Sequence, residues 1–301
     1  MSTLNDGWIS NSLIQAAGLA SQSCPAGALY VVGLPIGNLG DITLRALWIL
    51  AQADVVAAED TRETRKLLDK FGINVRLMSV REHNERHGAE QIIEHLALNE
   101  RVALVTDAGT PGVSDPGARA VKAVREAGYA VIPVPGASAV VTALSAAGLD
   151  GTGFAFVGFV PPQPKARRKA LAYWAGRREP FVLYEAPHRV VDLLKDLSDA
   201  VEPERRGVIA REITKKFETF TSLTGGELGE WAQVHEPRGE YVILVDEISR
   251  GEDSISEEGR LWLRLLANEL PSSRLAALAA KATGCPRDDL YQLICEFKNN
   301  A

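Results

Sequence analysis

The sequence predicts an α/β protein with two α/β domains followed by a small helical module. Three observations support this fold class. Short β-branched runs alternate with helical stretches from residue 28 to about residue 135, a later block has strands that lie closer together, and three amphipathic segments follow Glu247. Strands that alternate with helices are typical of parallel sheets built from βαβ units. We predict domains at 28–136 and 137–248, a linker at 249–254 and a helical module at 254–301.

The composition is that of a globular protein, which we place in the cytosol. The 301 residues are 46% hydrophobic and 24% charged, and no apolar run reaches the roughly 18 to 20 residues that cross a bilayer. Residues 1–27 contain no lysine or arginine, so they lack the basic start of a secretory signal, and we interpret them as a flexible N-terminal extension. The net charge of −6 argues against a protein that coats nucleic acid without selectivity.

The number and spacing of the cysteines disfavour both disulfide bonds and a metal site. Cys24, Cys285 and Cys295 are odd in number, and their spacing matches no metal-ligand motif. We therefore expect neither a disulfide framework nor a metal site, and we expect the three thiols to be reduced and packed.

The periodicity of apolar residues predicts the elements of the first domain in order. Strands are predicted at 29–32, 54–58, 102–105 and 130–133, and helices at 43–51, 62–71, 90–98 and 115–127. Four glycines directly follow strands, namely Gly33, Gly37, Gly109 and Gly112. Because ligands bind outside the carboxyl ends of strands in open α/β sheets, these glycines indicate a site at one edge of the sheet.

The second domain and the tail have different patterns. A helix near 138–147 is followed by strands predicted at 154–159, 181–184, 207–211, 218–223 and 240–245. The later strands lie close together, so we predict a mixed sheet with some antiparallel pairs. Proline and glycine then divide the tail into helices at about 256–269, 272–282 and 287–298. These helices form either a helix-turn-helix-like module or a bundle that only packs on the body or on a second subunit.

Glycine-rich segments at strand ends contain the candidate ligand site. Residues 33–43 permit close backbone approach but lack the spacing of a dinucleotide fingerprint and the lysine of a P-loop, which disfavours nicotinamide and ATP. Residues 106–117 add carboxylates, hydroxyls and three glycines, which suit a zwitterionic ligand. The alternative is that Asp107 stabilises its turn and Asp115 caps a helix. In a third segment, Ser138 is either an N-cap or a ligand contact.

Charged groups also follow the apolar strands of the second domain. They lie in residues 184–189, 210–216 and 239–241, and we expect them to face the same cleft. His188 either belongs to this group, with Glu185 and Arg189, or is a cap or surface residue at the head of a helix.

The densest basic stretch follows a proline-rich turn and has aromatic residues interleaved. Its cations are Lys165, Arg167, Arg168 and Lys169, followed by Tyr173 and Trp174. Basic residues with stackable rings suit phosphates and splayed single-stranded bases. The alternative is a solvated helix face with Trp174 buried.

Five segments together resemble one known family. They are Pro-Ile-Gly-Asn-Leu-Gly-Asp-Ile-Thr at 35–43, Ala-Glu-Asp-Thr-Arg at 58–62, Asp-Ala-Gly-Thr-Pro-Gly-Val-Ser-Asp-Pro-Gly at 107–117, Tyr-Glu-Ala-Pro-His-Arg at 184–189 and Ala-Arg-Glu-Ile-Thr-Lys at 210–215. In this order they are similar to the bacterial 16S rRNA cytidine 2′-O-ribose methyltransferases, a branch of the tetrapyrrole methylase superfamily. The likeness covers residues 29–245 and, more weakly, the tail.

The resemblance implies a fold, a cofactor and a substrate. It implies two α/β domains of the tetrapyrrole methylase type with S-adenosyl-L-methionine in the cleft between them, and a homodimer. It also implies methyl transfer to the ribose 2′-hydroxyl of cytidine 1402 in 16S rRNA, in the 30S subunit. The implied cofactor contacts are Leu34, Pro35, Asp107, Ala108, Gly109, Val113, Ser138, Ala139, Tyr184, Ala210 and Gly239.

A ribose hydroxyl is a weak acid, so transfer needs a base or cations that stabilise the developing oxyanion. Candidates for proton handling include Glu59 and Asp60, but we favour Glu185 and His188. For phosphate or oxyanion contacts we predict Arg62, Arg211 and Lys215. For contacts with the RNA we predict Arg62 and the basic stretch, Lys165, Arg167, Arg168 and Lys169. Two other functions stay open: methylation of a tetrapyrrole or of a diphthine-type histidine, and non-enzymatic nucleic-acid binding through the tail. The first needs neither tail nor basic stretch, and the second leaves the glycine-rich strand ends unexplained.

Overall fold

The computed structural model describes residues 11–81, 84–149, 153–248, 255 and 257–299. The chain divides into two compact units, Met1–Glu247 and Ile248–Ala301. The predicted linker at 249–254 lies outside the described residues. None of the helices in the described part of the chain is both long and apolar enough to cross a membrane.

The first domain is built on a sheet of five parallel strands in the order β3-β2-β4-β1-β5. The strands are β1 (Ala28–Val32), β2 (Val55–Ala58), β3 (Arg76–Ser79), β4 (Val102–Val105) and β5 (Ala130–Val134). The helices are α1 (Asn11–Ala16), α2 (Leu44–Gln52), α3 (Thr61–Lys70), α4 (Glu85–Ala97) and α5 (Ala118–Glu126). Strands β2 and β4 are buried at every position, as expected where helices cover both faces of a parallel sheet.

One buried carboxylate fixes how α4 and α5 meet. The structure starts α4 at Glu85, five residues before the predicted start at residue 90, and Glu85 is buried. Its Oε1 accepts hydrogen bonds from the backbone N–H groups of Gly117 at 2.9 Å and Arg119 at 2.8 Å. A carboxylate at a helix N-terminus satisfies unpaired N–H groups and complements the helix dipole. Helix α5 therefore starts after Gly117, three residues later than predicted.

The prediction that residues 1–27 form a loose extension is wrong for residues 11–27. Ile14 in α1 and Leu19 are buried in the core that β1 and α2 also build. The sequence showed one short apolar segment with no partner nearby, and the partner is the core of the sheet itself. Residues 1–10 lie outside the part of the chain that the structure describes.

This packing predicts a stability effect. We expect Ile14→Ala to lower the free energy of unfolding by about 2 kcal/mol, because it deletes buried methyl groups and leaves a partly filled cavity. Leu13→Ala is the matched control: Leu13 is 48% exposed, so the expected change is below about 0.5 kcal/mol. Chemical denaturation measures both variants, and equal losses would contradict the packing of Ile14.

The second domain has a mixed sheet in the order β6-β7-β10-β8-β9. The strands are β6 (Ala155–Phe159), β7 (Phe181–Glu185), β8 (Arg206–Arg211), β9 (Thr219–Thr224) and β10 (Tyr241–Val245). The helices are α6 (Ala139–Ala147), α7 (Pro164–Ala175), α8 (Pro187–Ser198) and α9 (Leu228–Val234). Only β6 and β7 pair in parallel, so the predicted mixed sheet is confirmed. Helix α6 packs on one face of this sheet, and α7, α8 and α9 pack on the other.

In its described residues the second unit contains three helices, α10 (Glu257–Ala267), α11 (Ser272–Thr283) and α12 (Arg287–Asn299). It has a hydrophobic core of its own, which includes Leu263, Leu275, Leu290 and Ile294. Gly284 ends α11 with a φ of 76°, a left-handed conformation that glycine adopts without strain. Cys285 is buried in this core, and Cys24, Cys285 and Cys295 are all free thiols.

Candidate active site

The strand ends of the two sheets in the first unit meet at a cavity of about 310 Å³. Seven predicted residues line it: Ala108, Gly109, Val113, Ser138, Ala139, Tyr184 and Glu185. The sequence did not single out several other lining residues, among them Ile36, Thr110, Phe159, Ile213, Glu240, Tyr241 and Val242. Most of these lie within or directly beside the predicted segments, so the segments located the cavity better than the individual residues did.

Three loops of the first domain join backbone to backbone beside the cavity. The Leu34 N–H donates to Gly109 O at 2.8 Å, and the Gly109 N–H donates to Leu34 O at 3.1 Å. Gly109 has a φ of 70°. A Cβ on Gly136 would lie 2.5 Å from the carbonyl oxygen of Gly33, closer than non-bonded atoms approach. Only glycine permits this contact.

Five predicted cofactor residues do not line the cavity. Leu34 is buried and makes the backbone bridge to Gly109, and Ala210 is buried inside β8. Asp107 faces the first domain, where its Oδ1 accepts a hydrogen bond from the Asp60 N–H at 3.1 Å. Pro35 and Gly239 are also absent from the lining. Gly239 instead packs against the side chain of Glu212.

Glu185 is a buried carboxylate in the wall of the cavity, with a side chain that is fully shielded from solvent. Its Oε1 accepts the Ala186 N–H at 2.9 Å, and its Oε2 lies 3.1 Å from Arg189 Nη2. Burial raises the pKa of Glu185, and the Ala186 N–H and the Arg189 charge act in the opposite direction. A carboxylate with a raised pKa beside a cavity is suited to accept a proton.

His188 does not join Glu185 as predicted. It is exposed in the first turn of α8 and does not line the cavity. Glu185, the last residue of β7, forms its ion pair with Arg189 in the first turn of α8. Of the two residues favoured for proton handling, Glu185 lines the cavity and His188 does not.

Asp115 is a second carboxylate in the cavity wall. Burial raises its pKa to about 6, and the negative charges of Glu59 and Asp107 add to the effect. The alternative that Asp115 caps a helix is not supported, because Glu85 accepts the hydrogen bonds at the start of α5. Asp115 therefore loses its charge as the pH falls through about 6.

Lys215 connects the two domains and is not a free cation. Its Nζ lies 2.9 Å from Glu212 Oε1 and 2.7 Å from Glu240 Oε2. Its aliphatic stem lies against the backbone of Gly37, where a Cβ would come within 2.6 Å of Lys215 Cε. Beside it, the Thr214 hydroxyl donates to the carboxylate of Asp41. The predicted oxyanion role of Lys215 is therefore replaced by a bridging role.

Arg211 is also absent from the cavity lining, but it stands in register with Glu185. Tyr241 on β10 pairs with Glu185 on β7 and with Arg211 on β8, and Arg211 pairs with Thr219 on β9. These four residues form a row across neighbouring strands, which we call the edge row. Arg211 lines a second recess next to the cavity.

Comparison with known proteins identifies the family. The model of the Tetrapyrrole (Corrin/Porphyrin) Methylases matches residues 28–229, and that of the RsmI C-terminal HTH domain matches residues 253–298. "Ribosomal RNA small subunit methyltransferase I" of Neisseria meningitidis serogroup B is 49% identical over 286 residues, 93% of this chain and 97% of the relative. The proteins of the same name from Pseudomonas aeruginosa and Escherichia coli O157:H7 are 45% and 43% identical, covering 89% and 90% of this chain and 96% and 95% of the relatives.

The chain belongs to the ribosomal RNA small subunit methyltransferase I family of tetrapyrrole methylases. Solved structures agree on the fold. A cobalt precorrin-4 methyltransferase of cobalamin biosynthesis has a TM-score of 0.55 at 19% identity, covering 75% of this chain and 98% of its own. Uroporphyrin-III C-methyltransferase from Thermus thermophilus, complexed with S-adenosyl homocysteine, has a TM-score of 0.52 at 21% identity, covering 73% and 97%. The second family model decides between the two interpretations of the tail in favour of a helix-turn-helix-type domain.

In this ribosomal RNA small subunit methyltransferase I family member, the basic stretch on α7 is divided. Lys165, Arg168 and Lys169 are exposed. Arg167 is buried, and its Nε donates to Asp196 Oδ2 at 2.8 Å. The prediction that Arg167 contacts RNA is therefore wrong, because a helix this close to the core turns one of every three or four residues inward.

Arg62 lies at the start of α3 and forms an ion pair with Asp60. Its Nε and Nη2 lie 3.1 and 2.7 Å from the two carboxylate oxygens of Asp60. Hydrogen bonds from the side chain and the backbone N–H of Arg62 strongly lower the pKa of Asp60, and the Arg62 charge adds to the effect. A phosphate would have to compete with this carboxylate for Arg62.

Proposed function

We propose that this methyltransferase transfers a methyl group from S-adenosyl-L-methionine to the ribose 2′-hydroxyl of cytidine 1402 in 16S rRNA, in the 30S subunit. The observation that carries the proposal is a cavity at the strand ends that has a residue with a buried carboxylate, Glu185, in its lining. The relatives' name supports small-subunit ribosomal RNA as the substrate. The position and the 2′-oxygen are supported by the motif resemblance.

The residues around the cavity fit S-adenosyl-L-methionine. The volume of about 310 Å³ is typical of a small-molecule pocket. Ile36, Val113 and Phe159 supply apolar surface, Thr110 supplies a hydroxyl, and Asp115 supplies a carboxylate for a cationic ligand. The tight glycine contacts behind this wall keep the backbone close to the ligand. When bound, the cofactor supplies a methyl group activated by a sulfonium charge.

Glu185 receives the proton that the ribose hydroxyl loses in this proposal. Arg189 lies against Glu185 Oε2 and holds the side chain in one orientation. Burial keeps water away from the carboxylate and makes it a stronger base than an exposed glutamate. Methyl transfer depends mainly on the alignment of the ribose oxygen with the methyl carbon of the cofactor. The other residues of the cavity wall therefore contribute by positioning the ribose.

Mapping of 2′-O-methylation in cells that lack this protein tests the proposal. We expect cytidine 1402 to lose its 2′-O-methyl group, and purified protein with S-adenosyl-L-methionine to restore it on small subunits from those cells. Full methylation of cytidine 1402 in the deletion strain would contradict the proposal. Methyl transfer to uroporphyrinogen by the same preparation, without transfer to the subunits, would favour a tetrapyrrole substrate instead.

A further inference from the structure

A second recess lies beside the candidate active site and has no role in the proposed reaction. Its volume is about 320 Å³. Its lining residues include two arginines, two threonines and two aromatic residues, together with one acidic residue that pairs with Arg238: Arg211, Arg238, Thr219, Thr221, Trp231, His235 and Glu236. Cations, hydroxyls and planar rings are the groups that proteins use to hold single-stranded nucleic acid.

The edge row ties this recess to the cavity. Tyr241 contributes to the walls of both. Glu185 and Arg211 each pair in register with Tyr241 on opposite sides of β10. Neighbouring strands lie about 4.8 Å apart, so the backbones of Glu185 and Arg211 are about 10 Å apart. A polymer whose reacting group lies beside Glu185 therefore brings the neighbouring part of its chain to Arg211.

Arg211 makes no ion pair among the described residues, although its charge acts on the neighbouring Glu212. Its Nε donates to the carbonyl oxygen of Arg238 at 2.6 Å, which fixes the guanidinium plane. Over the described ranges of the chain, no carboxylate lies within ion-pair distance of Arg211, and its Nη1 and Nη2 make no hydrogen bond. Arg238, in contrast, is paired with Glu236 at 2.6 Å. A fixed guanidinium with two free NH2 groups matches the geometry of a phosphate.

The two rings of the recess form a stacking platform. His235 lies on Trp231 with ring centroids 4.2 Å apart and an interplanar angle of 14°. His235 Nδ1 lies 2.9 Å from the carbonyl oxygen of Trp231, which fixes the imidazole. Trp231 packs against the core, whereas His235 is exposed. A planar base that stacks on His235 would extend this pair outward.

We propose that the recess binds a nucleotide of the RNA substrate that flanks the target nucleotide, with a phosphate on Arg211 and a base stacked on His235. The ligand class, a ribonucleotide within a strand, rests on the proposed function. The recess itself rests on the unpaired guanidinium, the ring pair and the shared Tyr241.

Binding measurements with the full chain test this assignment. The probe is a fluorescent single-stranded RNA with the sequence around cytidine 1402. We expect Arg211→Gln to raise its Kd about tenfold and to lower the slope of log Kd against log salt by about 0.7, the value for one phosphate contact on a single strand. His235→Ala should raise the Kd about tenfold with an unchanged slope, because stacking does not release counterions.

Arg86→Gln is the matched control. Arg86 is an exposed cation on α4, outside the recess, and its substitution removes the same charge. We expect it to change the Kd by less than about twofold, because Arg86 lines neither the recess nor the cavity and a charge in solvent is screened. Thermal melting checks that each variant is folded. Arg211→Lys, which keeps the charge but loses the two-pronged contact, should fall between wild type and Arg211→Gln.

Wild-type methyl transfer to small subunits is measured in the same preparation. If wild type methylates the subunits while the Arg211 and His235 variants bind the probe with wild-type Kd and slope, the assignment of the recess is overturned. If wild type itself transfers no methyl group, the proposed function fails. If Arg211→Gln does not fold, Arg211→Lys and His235→Ala decide the question by the same readouts.

Discussion

Glu185→Gln is expected to slow methyl transfer about a hundredfold, because the amide cannot accept the proton of the ribose hydroxyl. Glutamine keeps the oxygen that accepts the Ala186 N–H, so the wall of the cavity keeps its shape. Single-turnover measurements on small subunits report the rate, and calorimetry with S-adenosyl-L-methionine is expected to give the wild-type Kd. A variant that retains the wild-type rate would remove Glu185 from the mechanism.

The pH profile gives an independent readout of the same group. A base must be deprotonated to act, and burial raises the pKa of Glu185. The wild-type rate should therefore rise with pH across a range above the ordinary titration of a glutamate and then level off. In Glu185→Gln this rising limb should disappear from the single-turnover rate.

Asp115→Asn is the matched control, since it also neutralises a carboxylate in the cavity wall. In the wild type the pKa of Asp115 is about 6, so its carboxylate is charged at neutral pH and attracts a cationic ligand. We expect this variant to raise the KM for the cofactor and to change kcat by less than about threefold. A large fall in kcat with Asp115→Asn, together with a normal Glu185→Gln, would assign the base to Asp115.

Gly136→Ala is expected to destabilise the protein by about 3 kcal/mol. A Cβ on Gly136 would lie 2.5 Å from the carbonyl oxygen of Gly33 and 2.6 Å from its carbonyl carbon. Both atoms are backbone, so no side-chain rotation relieves the clash, and the loops after β1 and β5 must move apart. Denaturant unfolding measures the loss, and weaker cofactor binding should accompany it.

Gly153→Ala is the control for this substitution. A Cβ on Gly153 would meet no heavy atom within 4 Å, and its φ is not in the left-handed region. Alanine at such a position restricts the unfolded chain and leaves stability unchanged or raised by about 0.5 kcal/mol. If both variants lose the same free energy of unfolding, the contact of Gly136 with Gly33 does not contribute to stability.

The alternation of strands and helices was predictable because buried β-branched runs such as Val102–Val105 differ sharply from the amphipathic stretches beside them. Strand β3 was missed. Its residues, Arg76–Ser79, include no β-branched side chain, and it lies at the edge of the sheet, where burial is incomplete. The early start of α4 was also unpredictable, because Glu85 is stabilised by N–H groups more than thirty residues away.

The position of the site followed from the sequence, but the roles of its charged residues did not. Glycine-rich segments after strands located the cavity because parallel strands end at one edge. The pairings of Lys215 with Glu240 and of Arg167 with Asp196 join residues 25 and 29 positions apart. No local pattern encodes such a partner, so the sequence could not tell a free cation from a paired one.

The edge row also limits how this enzyme family can diverge. Side chains on a strand alternate between faces, so inserting one residue within β10 would turn Tyr241 to the other side of the sheet and break the alignment of Glu185 with Arg211. The loops that follow these strands carry no such restriction. Insertions and deletions among homologues should therefore accumulate in the loops, while the lengths of β7, β8 and β10 stay constant.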